Sequence, residues 1–490
     1  MSDALPRPVH LDAVVDGLAK NPALPTELVR RLLPHGQSSV VALRPDLTGD
    51  LITEILALDD IRLTHALALN RDLPHPVRTE LAGHPDPGVR AALVVGAERG
   101  APREFFERLA GDPDLRVREC LAESDRVPAD LRARLAADPE PKVRATLAQW
   151  WTRAPEPVRR TLLTDPEDSV RAAACATYYR RLPHPVPPAD LLPALLADPV
   201  TCEGAVRHCT LDAATARRLA GDPDDAVRRE LAGHPDLPPE LRGGLAEDPG
   251  LRVAVAVFAR EDTPEPLRAV IHARILAEAA ATQWPEPEDE LDEAALLRLF
   301  ENEQAPAELR RLYLPWVTAD PLPHADSPYV CFRASAAASD RLPAPVVARL
   351  LADEDSGVRT TMAGHAPHAV DAATAERIDR DHRPEKRTRW RPADDFPLPA
   401  EVLRRLAGDP DPRMRQLAPR DPALPVETVR ALAADPDHLV RRVTVGHPRL
   451  PLEELTRLLA DPAESVAAAA AADPRLPVAQ MCRILSLAGL

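Results

Sequence analysis

Residues 406–451 read LAGDPDPRMRQLAPRDPALPVETVRALAADPDHLVRRVTVGHPRLP, and one short pattern recurs through this stretch. Asp-Pro or His-Pro dipeptides begin at positions 409, 421, 435 and 447, and then at 461 and 473, so that intervals of twelve and fourteen residues alternate. Two successive intervals define a repeat of 26 residues. Self-similarity at a fixed period of this length is typical of proteins built from stacked repeats. We therefore expect an all-α chain in which two-helix repeats stack on one another.

One repeat, residues 435–460, shows why the pattern predicts two short helices. Asp435 is expected to cap the first helix, and Pro436 to occupy its first position, where a missing N–H costs nothing. Val440 begins an apolar stripe at helical spacing. The helix is expected to end before Pro448, because a residue that precedes proline is pushed out of the α region. Pro451 then starts the second helix of the repeat.

In many repeats along the chain an aliphatic residue followed by arginine lies five residues after the Asp or His that begins the first turn, as in Val117-Arg118 and Val440-Arg441. The repeated arginines could line an anion-binding groove. Each of them, however, also has an aspartate in a neighbouring loop, and we expect the two charges to pair along the stack. The residues assigned to this structural ladder are Asp112, Arg118, Asp138, Arg144, Asp222, Arg228, Asp409, Arg415, Asp435 and Arg441.

These two phased motifs resemble those of the leucine-rich repeat variant family and, more distantly, HEAT-like α-solenoid repeats. The resemblance covers most of the chain and implies a right-handed superhelix of short helices, some of them 3-10 helices. One branch of that family carries a cysteine cluster that binds an iron–sulfur centre ahead of the repeats. The residues before the first repeat contain no cysteine here, so that feature is not carried over. We expect α-solenoid repeats over 1–365 with an irregular unit near 271–330, an insertion over 366–399, and repeats with a C-terminal cap over 400–490.

Composition and motifs argue against several classes of function. A net charge of −16 disfavours a general nucleic-acid or anionic-membrane surface. The sequence contains no P-loop, no His-Glu-x-x-His and no Gly-x-Ser-x-Gly. The first residues lack the pattern of a secretory signal, and no apolar run is long enough to cross a membrane. We expect a cytoplasmic protein that is not an enzyme and needs no cofactor.

Two of the three segments that depart from the repeat pattern offer weak candidate sites. Residues 194–211 contain Cys202, His208 and Cys209, which could be imagined as metal ligands, but a fourth ligand is missing. Structural zinc sites also use more closely spaced pairs, so buried free thiols and no metal are expected. The acidic run from Glu286 to Glu293 would suit a basic partner or, more simply, a solvated loop that starts a helix.

The third segment, residues 366–399, concentrates basic side chains around an aromatic one. Such a patch can bind phosphates, nucleic-acid bases or an acidic protein segment. Acidic residues in the same segment also fit the alternative of an insertion held by internal ion pairs. The stretch from Arg380 to Arg391 is where we expect binding, with Trp390 as the aromatic anchor. The candidate binding residues are Arg383, Lys386, Arg387, Arg389, Trp390 and Arg391.

The function that these patterns favour is a repeat scaffold that binds a protein partner through a concave face and the 380–391 segment. A nucleic-acid or anionic-ligand binder using the same segment is the first alternative. A HEAT-like repeat enzyme such as a DNA glycosylase is the second, although the five tryptophans are scattered rather than phased with the repeats.

Overall fold

The computed structural model describes residues 8–33, 38–97, 101–176, 185–282, 293–382 and 390–490. Within these ranges the chain forms α-helices and short 3-10 helices and no β-strand, so the all-α fold class is confirmed. The chain divides into two compact units. The first unit comprises residues up to Leu131 together with Asp371–Leu490, and the second unit comprises Arg132–Val370. None of the described helices combines the length and the apolar character that crossing a membrane would need.

Most of the α-helices are short, and within the described ranges two of them, α20 (Glu265–Ala281) and α21 (Glu293–Arg310), exceed ten residues. In the N-terminal third they are α1 (Leu11–Ala19), α2 (Thr26–Leu32), α3 (Ser38–Ala42), α4 (Gly49–Ala57), α5 (Ile61–Leu69), α6 (His75–Leu81), α7 (Pro87–Val95), α8 (Arg103–Ala110), α9 (Leu115–Glu123), α10 (Ala129–Arg134), α11 (Pro141–Trp150) and α12 (Glu156–Leu163).

The middle of the chain contains the two longer helices, α20 and α21. Its helices are α13 (Asp168–Cys175), α14 (Leu192–Ala197), α15 (Cys202–Val206), α16 (Ala213–Ala220), α17 (Asp225–Ala232), α18 (Arg242–Ala246), α19 (Leu251–Phe258), α20 (Glu265–Ala281), α21 (Glu293–Arg310), α22 (Pro315–Ala319), α23 (Val330–Ala337), α24 (Ala344–Leu350) and α25 (Ser356–His365).

The remaining α-helices are α26 (Ala372–Asp381), α27 (Ala400–Leu406), α28 (Pro412–Arg415), α29 (Val426–Ala433), α30 (His438–Val445), α31 (Leu452–Leu458), α32 (Glu464–Ala472) and α33 (Val478–Leu487). The 3-10 helices span Leu135–Ala137, Pro239–Leu241, Leu322–His324, Pro367–Ala369, Pro392–Asp394 and Ala418–Arg420. These short 3-10 segments agree with the expectation that the repeats would contain some.

Each repeat consists of an A helix and a B helix. The A helix follows the Asp-Pro turn and in most repeats carries the aliphatic-arginine pair, whereas the B helix follows a proline at its N-cap, such as Pro451 before α31. A helices pack directly against the A helices of neighbouring repeats. These contacts join α3, α5, α7 and α9, and α28, α30 and α32, in the first unit, and α11, α13, α15, α17 and α19, and α23 and α25, in the second unit.

The aliphatic residue of the aliphatic-arginine pair supplies the core of the A-helix layer. Val117, Val143 and Val440 are all fully buried, as the sequence pattern predicts for residues at the centre of a stack. Close helix approach also depends on small residues. At Gly96, the C-cap of α7, an added Cβ would lie 2.5 Å from the carbonyl oxygen of Ala68 on α5, so only hydrogen fits there.

The residue that caps the A helix is the second acidic residue of the Asp-Pro-Asp turn, which corrects the prediction that the first one does. The carboxylate of Asp437 accepts hydrogen bonds from the amides of Leu439 (2.9 Å) and Val440 (3.1 Å) at the start of α30. Asp435 lies outside the helix and accepts from the Asp437 amide at 2.9 Å, which makes an Asx turn. The proline between them therefore belongs to the turn.

The last repeats are in contact with the first helix of the chain, and the expected C-terminal cap over 400–490 stays a prediction. Helix α1 packs against α32 within the first unit, and the side-chain amide of Asn21 donates to the carbonyl oxygens of Ala471 (2.9 Å) and Asp473 (2.7 Å). The surface of the last repeats is thus occupied by residues about 450 positions earlier in the sequence.

Candidate functional site

The ladder arginines bind carboxylates of the following repeat. The Arg441 guanidinium donates from Nε and Nη2 to the two carboxylate oxygens of Asp461, both at 2.7 Å. Its Nη1 donates to the carbonyl oxygens of Asp435 (2.8 Å) and Pro436 (3.1 Å) in its own repeat. The Arg441 side chain therefore stabilises the turn of its own repeat and also binds the turn of the following repeat. The same bidentate pairing joins Arg90 to Asp112, Arg144 to Asp165, Arg228 to Asp248, Arg333 to Asp353 and Arg415 to Asp435.

Electrostatics at the ladder favour the charged forms of both partners. Burial alone would raise the pKa of the Asp461 carboxyl, but hydrogen bonds from Arg441 and from the Ala463 amide outweigh it and hold the pKa below its usual range. The hydrogen bond from Asp461 in turn raises the pKa of Arg441. Since both groups are nearly buried and already paired, this ladder offers no free charge to an external anion.

The other predicted ladder residues lie in the same turns. Arg118 donates from Nη1 to the carbonyl oxygens of Asp112 (2.7 Å) and Pro113 (3.2 Å). The carboxylates of Asp138 and Asp222 accept from backbone amides two residues ahead, at 2.9 and 3.0 Å. All ten residues of the predicted ladder therefore occupy the turns that begin A helices or the A helices themselves.

A second ladder, which the sequence did not reveal, runs through the turns between the A and B helices. Asn70 donates from Nδ2 to the carbonyl oxygens of Ala42 (2.9 Å) and Arg44 (2.8 Å) in the preceding repeat, while its Oδ1 accepts from the Asp72 amide. Each such side chain therefore closes its own turn and reaches back to the previous one. The sequence signal is a polar residue just after some of the A helices, as at Asn21 and Asn70.

Histidine takes the same role in this second ladder. His447 is buried, with Nε2 2.9 Å from the Asp421 carbonyl oxygen and Nδ1 accepting from the Arg449 amide at 3.1 Å. A carbonyl oxygen can only accept, so Nε2 is the donor of this hydrogen bond. His234 makes the equivalent contacts with the Cys209 carbonyl oxygen and the Asp236 amide. These histidines are therefore structural members of the turns.

The described part of the basic segment is tied to the fold. Arg391 binds the fully buried carboxylate of Asp379 through Nε at 3.0 and 3.1 Å and also through Nη2. Its Nη1 donates to the Arg413 carbonyl oxygen at 3.0 Å. The Ala393 amide completes the set by donating to Asp379 at 2.9 Å. Arg391 is therefore a support for the turn around the 3-10 helix Pro392–Asp394.

Two further members of the basic segment also have partners within the chain. Arg380, at the end of α26, donates to the carboxylate of Asp409 at 2.7 and 3.1 Å and so supplies the ladder contact for that turn. Trp390 donates from Nε1 to Asp395 at 3.0 Å and packs edge-to-face on His382 at 5.3 Å, with 38% of its surface exposed. The predicted binding residues Arg383, Lys386, Arg387 and Arg389, and residues 286–292 of the acidic run, lie outside the described residues.

The two thiols considered as metal ligands, Cys202 and Cys209, are buried and hard to ionise, and so is the thiol of Cys175. Burial raises the pKa of the Cys175 thiol to about 12. Burial likewise raises the pKa of Cys202 and Cys209, and it lowers the pKa of His208. Because the thiolate is the form that binds metals and attacks electrophiles, these positions favour inert packing. Among the residues that the structure describes, no group of three or more His, Cys, Asp or Glu side chains is placed to hold a metal ion.

An aromatic cluster in the second unit surrounds an arginine, and the sequence did not indicate it. The guanidinium carbon of Arg268 lies 5.0 Å from the ring centroid of Phe332, 5.7 Å from Trp316 and 5.9 Å from Phe258. Arg268 is buried and donates to the Arg260 carbonyl oxygen at 2.7 Å. The rings come from separate helices, so no local pattern signals them. The protein's own arginine fills the place that a ligand cation would take, which makes the cluster part of the core.

Three successive B helices in the first unit begin with an exposed aliphatic residue. Val426, Leu452 and Val478 are the first residues of α29, α31 and α33, and they lie 26 positions apart. Their exposed fractions are 38%, 49% and 50%. We call these three residues the aliphatic row, because they occupy one equivalent position in three consecutive repeats. Single exposed aliphatic residues are ordinary on a protein surface. These three differ because they recur at the same position of successive repeats.

An ion-paired surface accompanies the aliphatic row. Arg430 on α29 donates to Glu427 at 3.1 Å in its own helix and to Glu453 on α31 at 2.7 Å. Both glutamates directly follow a member of the row in sequence. Apolar residues with a charged, solvent-accessible surround are the arrangement that protein-binding surfaces commonly have. The signal was present in the sequence as Pro-Val, Pro-Leu and Pro-Val at 425, 451 and 477.

Comparison with known proteins adds no relative to this description. No protein-family model matches the sequence, and no curated protein matches it at a significant level. The resemblance to the leucine-rich repeat variant family therefore rests on the phased Asp-Pro and aliphatic-arginine motifs alone, and membership of that family stays a prediction.

Proposed function

We propose that this chain is a non-enzymatic scaffold that binds a protein partner, and that its repeats form a right-handed α-solenoid in the cytoplasm. The aliphatic row is the observation that carries the proposal. Its residues repeat at the spacing of the repeats, so an extended or helical segment of a partner could bind one equivalent position after another. The ladder charges support the same view, because the chain uses them internally and leaves the exposed aliphatic positions as the repeated feature of its surface.

The aliphatic row replaces the basic segment as the surface to which we assign binding. Arg380, Trp390 and Arg391 make hydrogen bonds within the chain, and a partner would have to compete for Arg380 and Arg391 against carboxylates already in place. The same pairing weighs against the alternative of a nucleic-acid or anionic-ligand site at these residues. The alternative of a repeat enzyme has no support from the thiols, since burial raises their pKa.

The test compares two triple variants of the intact chain. In the row variant, Val426→Glu, Leu452→Glu and Val478→Glu are combined; glutamate in the first turn of a helix is favourable, so folding should be retained. The control variant carries Thr26→Glu, Ala129→Glu and Ala344→Glu, which occupy the same helical position on other B helices and are also exposed. Both proteins are immobilised beside the unsubstituted chain and exposed to a cell extract.

We expect a stoichiometric protein partner to be retained by the unsubstituted chain and by the control variant, and lost by the row variant. An interface with two or three buried aliphatic anchors would lose at least about tenfold in affinity, since each central anchor is typically worth more than about 1 kcal/mol. A partner retained equally by all three proteins would place the binding surface elsewhere. Retention of nucleic acid with a steep dependence on salt would support the first alternative instead.

A further inference from the structure

The contact between α1 and α32, which we call the junction, has the construction of a contact between consecutive repeats. At Gly17 on α1, an added Cβ would lie 2.1 Å from the carbonyl oxygen of Ala468 on α32. At Gly96, the C-cap of α7, the corresponding distance to the Ala68 carbonyl oxygen on α5 is 2.5 Å, and there the two helices belong to neighbouring repeats. In both places one A helix approaches the next so closely that the contact requires glycine.

The hydrogen bonds of the junction also repeat those within the array. Asn21 donates from Nδ2 to Ala471 and Asp473 at 2.9 and 2.7 Å, while its Oδ1 accepts from the Ala23 amide. Asn70 makes the same three contacts within the array: its Nδ2 donates to the carbonyl oxygens of Ala42 and Arg44 in the preceding repeat, and its Oδ1 accepts from the Asp72 amide. The second ladder therefore continues from the repeat at α32–α33 to the repeat at α1–α2, although the two are about 450 positions apart in sequence.

Further contacts widen the junction beyond this pair of helices. His10, at the N-cap of α1, lies with Nε2 2.9 Å from the Pro462 carbonyl oxygen in the turn before α32. The B helices α2 and α33 are in contact as well. A whole repeat is thus docked on another whole repeat, with both layers and both turns taking part.

We propose that the junction is exchangeable, and that the surface of α32–α33 can receive the α1–α2 repeat of a second copy of this chain. The two surfaces are complementary in the way that consecutive repeats are, and no short loop joins them. When the junction opens, each copy exposes one surface of each kind, which is the requirement for head-to-tail pairing of identical chains. Docking within one chain is favoured over docking between chains by its effective concentration, so exchange requires opening at high protein concentration.

The experiment uses the intact chain in unlabelled and isotopically labelled forms. The two are unfolded, mixed and refolded at about 1 μM and about 100 μM, a range in which association between partly folded chains becomes competitive. Native mass spectrometry then reports the number of chains and their labels. We expect monomers at the low concentration and mixed-label dimers at the high one. Cross-links within the mixed dimer should join residues 8–33 of one copy to residues 461–490 of the other.

A matched pair of glycine variants tests whether the dimer uses the junction. Gly17→Val places atoms where the Ala468 carbonyl lies, so it should abolish the mixed dimer and speed hydrogen exchange in α1 and α32. Gly446→Val is the control, because a Cβ there meets nothing within 4 Å. Monomers at every concentration, or mixed dimers formed equally well by Gly17→Val, would overturn the proposal. If Gly17→Val fails to fold, the cross-links decide: intermolecular links anywhere other than between these two segments would also overturn it.

Discussion

Arg441 and Asp461 lie in consecutive repeats, and the guanidinium of one meets the carboxylate of the other through two hydrogen bonds of 2.7 Å. The side chains are 12% and 4% exposed. Arg441 also satisfies two carbonyl oxygens of its own turn, so four polar contacts converge on one planar group. This ion pair links consecutive repeats, because it joins the turn before one A helix to the turn before the next.

Arg441→Met should therefore destabilise the stack around it strongly. The substitution keeps the apolar stem but leaves the Asp461 carboxylate nearly buried without its cation, a loss typically worth about 3–5 kcal/mol. Repeat arrays can depart from two-state unfolding, so hydrogen exchange of the α30 and α32 amides is the measurement of choice. The same amides should also unfold at a lower denaturant concentration than in the unsubstituted protein.

Arg430→Met is the control for that variant. Arg430 pairs with Glu427 and Glu453, but it is 39% exposed and its partners are more so. Exposed pairs of this kind contribute little to stability, so this variant should unfold close to the unsubstituted protein. If Arg430→Met and Arg441→Met lowered the stability equally, burial of the ladder pair would not be the reason for its contribution to stability.

Acid should destabilise the ladder, because its carboxylates are more acidic in the folded state than in the unfolded state. The pKa values of Asp112, Asp165, Asp435 and Asp461 all lie below the usual range; burial alone would raise them, and hydrogen bonds from arginine and backbone amides outweigh it. The folded state therefore binds fewer protons than the unfolded state near the unfolded pKa of about 3.9. Stability should be fully present above that pH and fall as the pH drops through the folded values.

The measurement is the urea midpoint followed from neutral pH down into the acid range. Asp461→Asn removes one of these titrations, so its midpoint should be lower at neutral pH and depend less on pH in acid. A midpoint that stays constant between neutrality and about pH 3 would contradict the proposed role of the ladder carboxylates.

The sequence predicted those parts of the fold that depend on local pattern. The 26-residue period, the burial of Val440 and the pairing of Arg441 with an aspartate all follow from residues at fixed offsets. The junction could not be predicted in this way, because Asn21 and Asp473 are brought together only by the path of the whole chain. Arg380 was assigned to a binding segment for the same reason. Its partner Asp409 lies 29 residues further along the chain, which is farther than the spacing between Arg441 and Asp461 in the regular ladder.

The assignment of the cap failed because two acidic residues stand in each Asp-Pro-Asp turn and either can accept from helical amides. What separates them is an arginine that arrives from the preceding repeat. Asp435 receives Arg415 at 2.7 and 2.9 Å, and this leaves Asp437 as the cap of α30. The choice is made by a contact between repeats, which the sequence of a single repeat does not contain.

Substitutions at these two positions should separate the roles. Asp437→Ala removes only the cap, for which about 1 kcal/mol is typical. Asp435→Ala removes the partner of the largely buried Arg415 and should cost about 3–5 kcal/mol. The comparison is made by hydrogen exchange and by the denaturant midpoint, with Asp437→Ser as a control that retains a capping oxygen. A larger effect of Asp437→Ala than of Asp435→Ala would restore the original assignment.

The second ladder predicts that His447 can be replaced by asparagine but not by leucine. His447 accepts from the Arg449 amide and donates to the Asp421 carbonyl oxygen, and Asn21 and Asn70 combine the same two functions at equivalent turns. His447→Asn should therefore stay within about 1 kcal/mol of the original stability. His447→Leu leaves a buried carbonyl oxygen and a partly buried amide without their partner, and the buried group alone typically costs about 1–3 kcal/mol. Denaturant unfolding of the two variants gives the comparison, and equal loss in both would mean that the volume of the imidazole, rather than its hydrogen bonds, stabilises this turn.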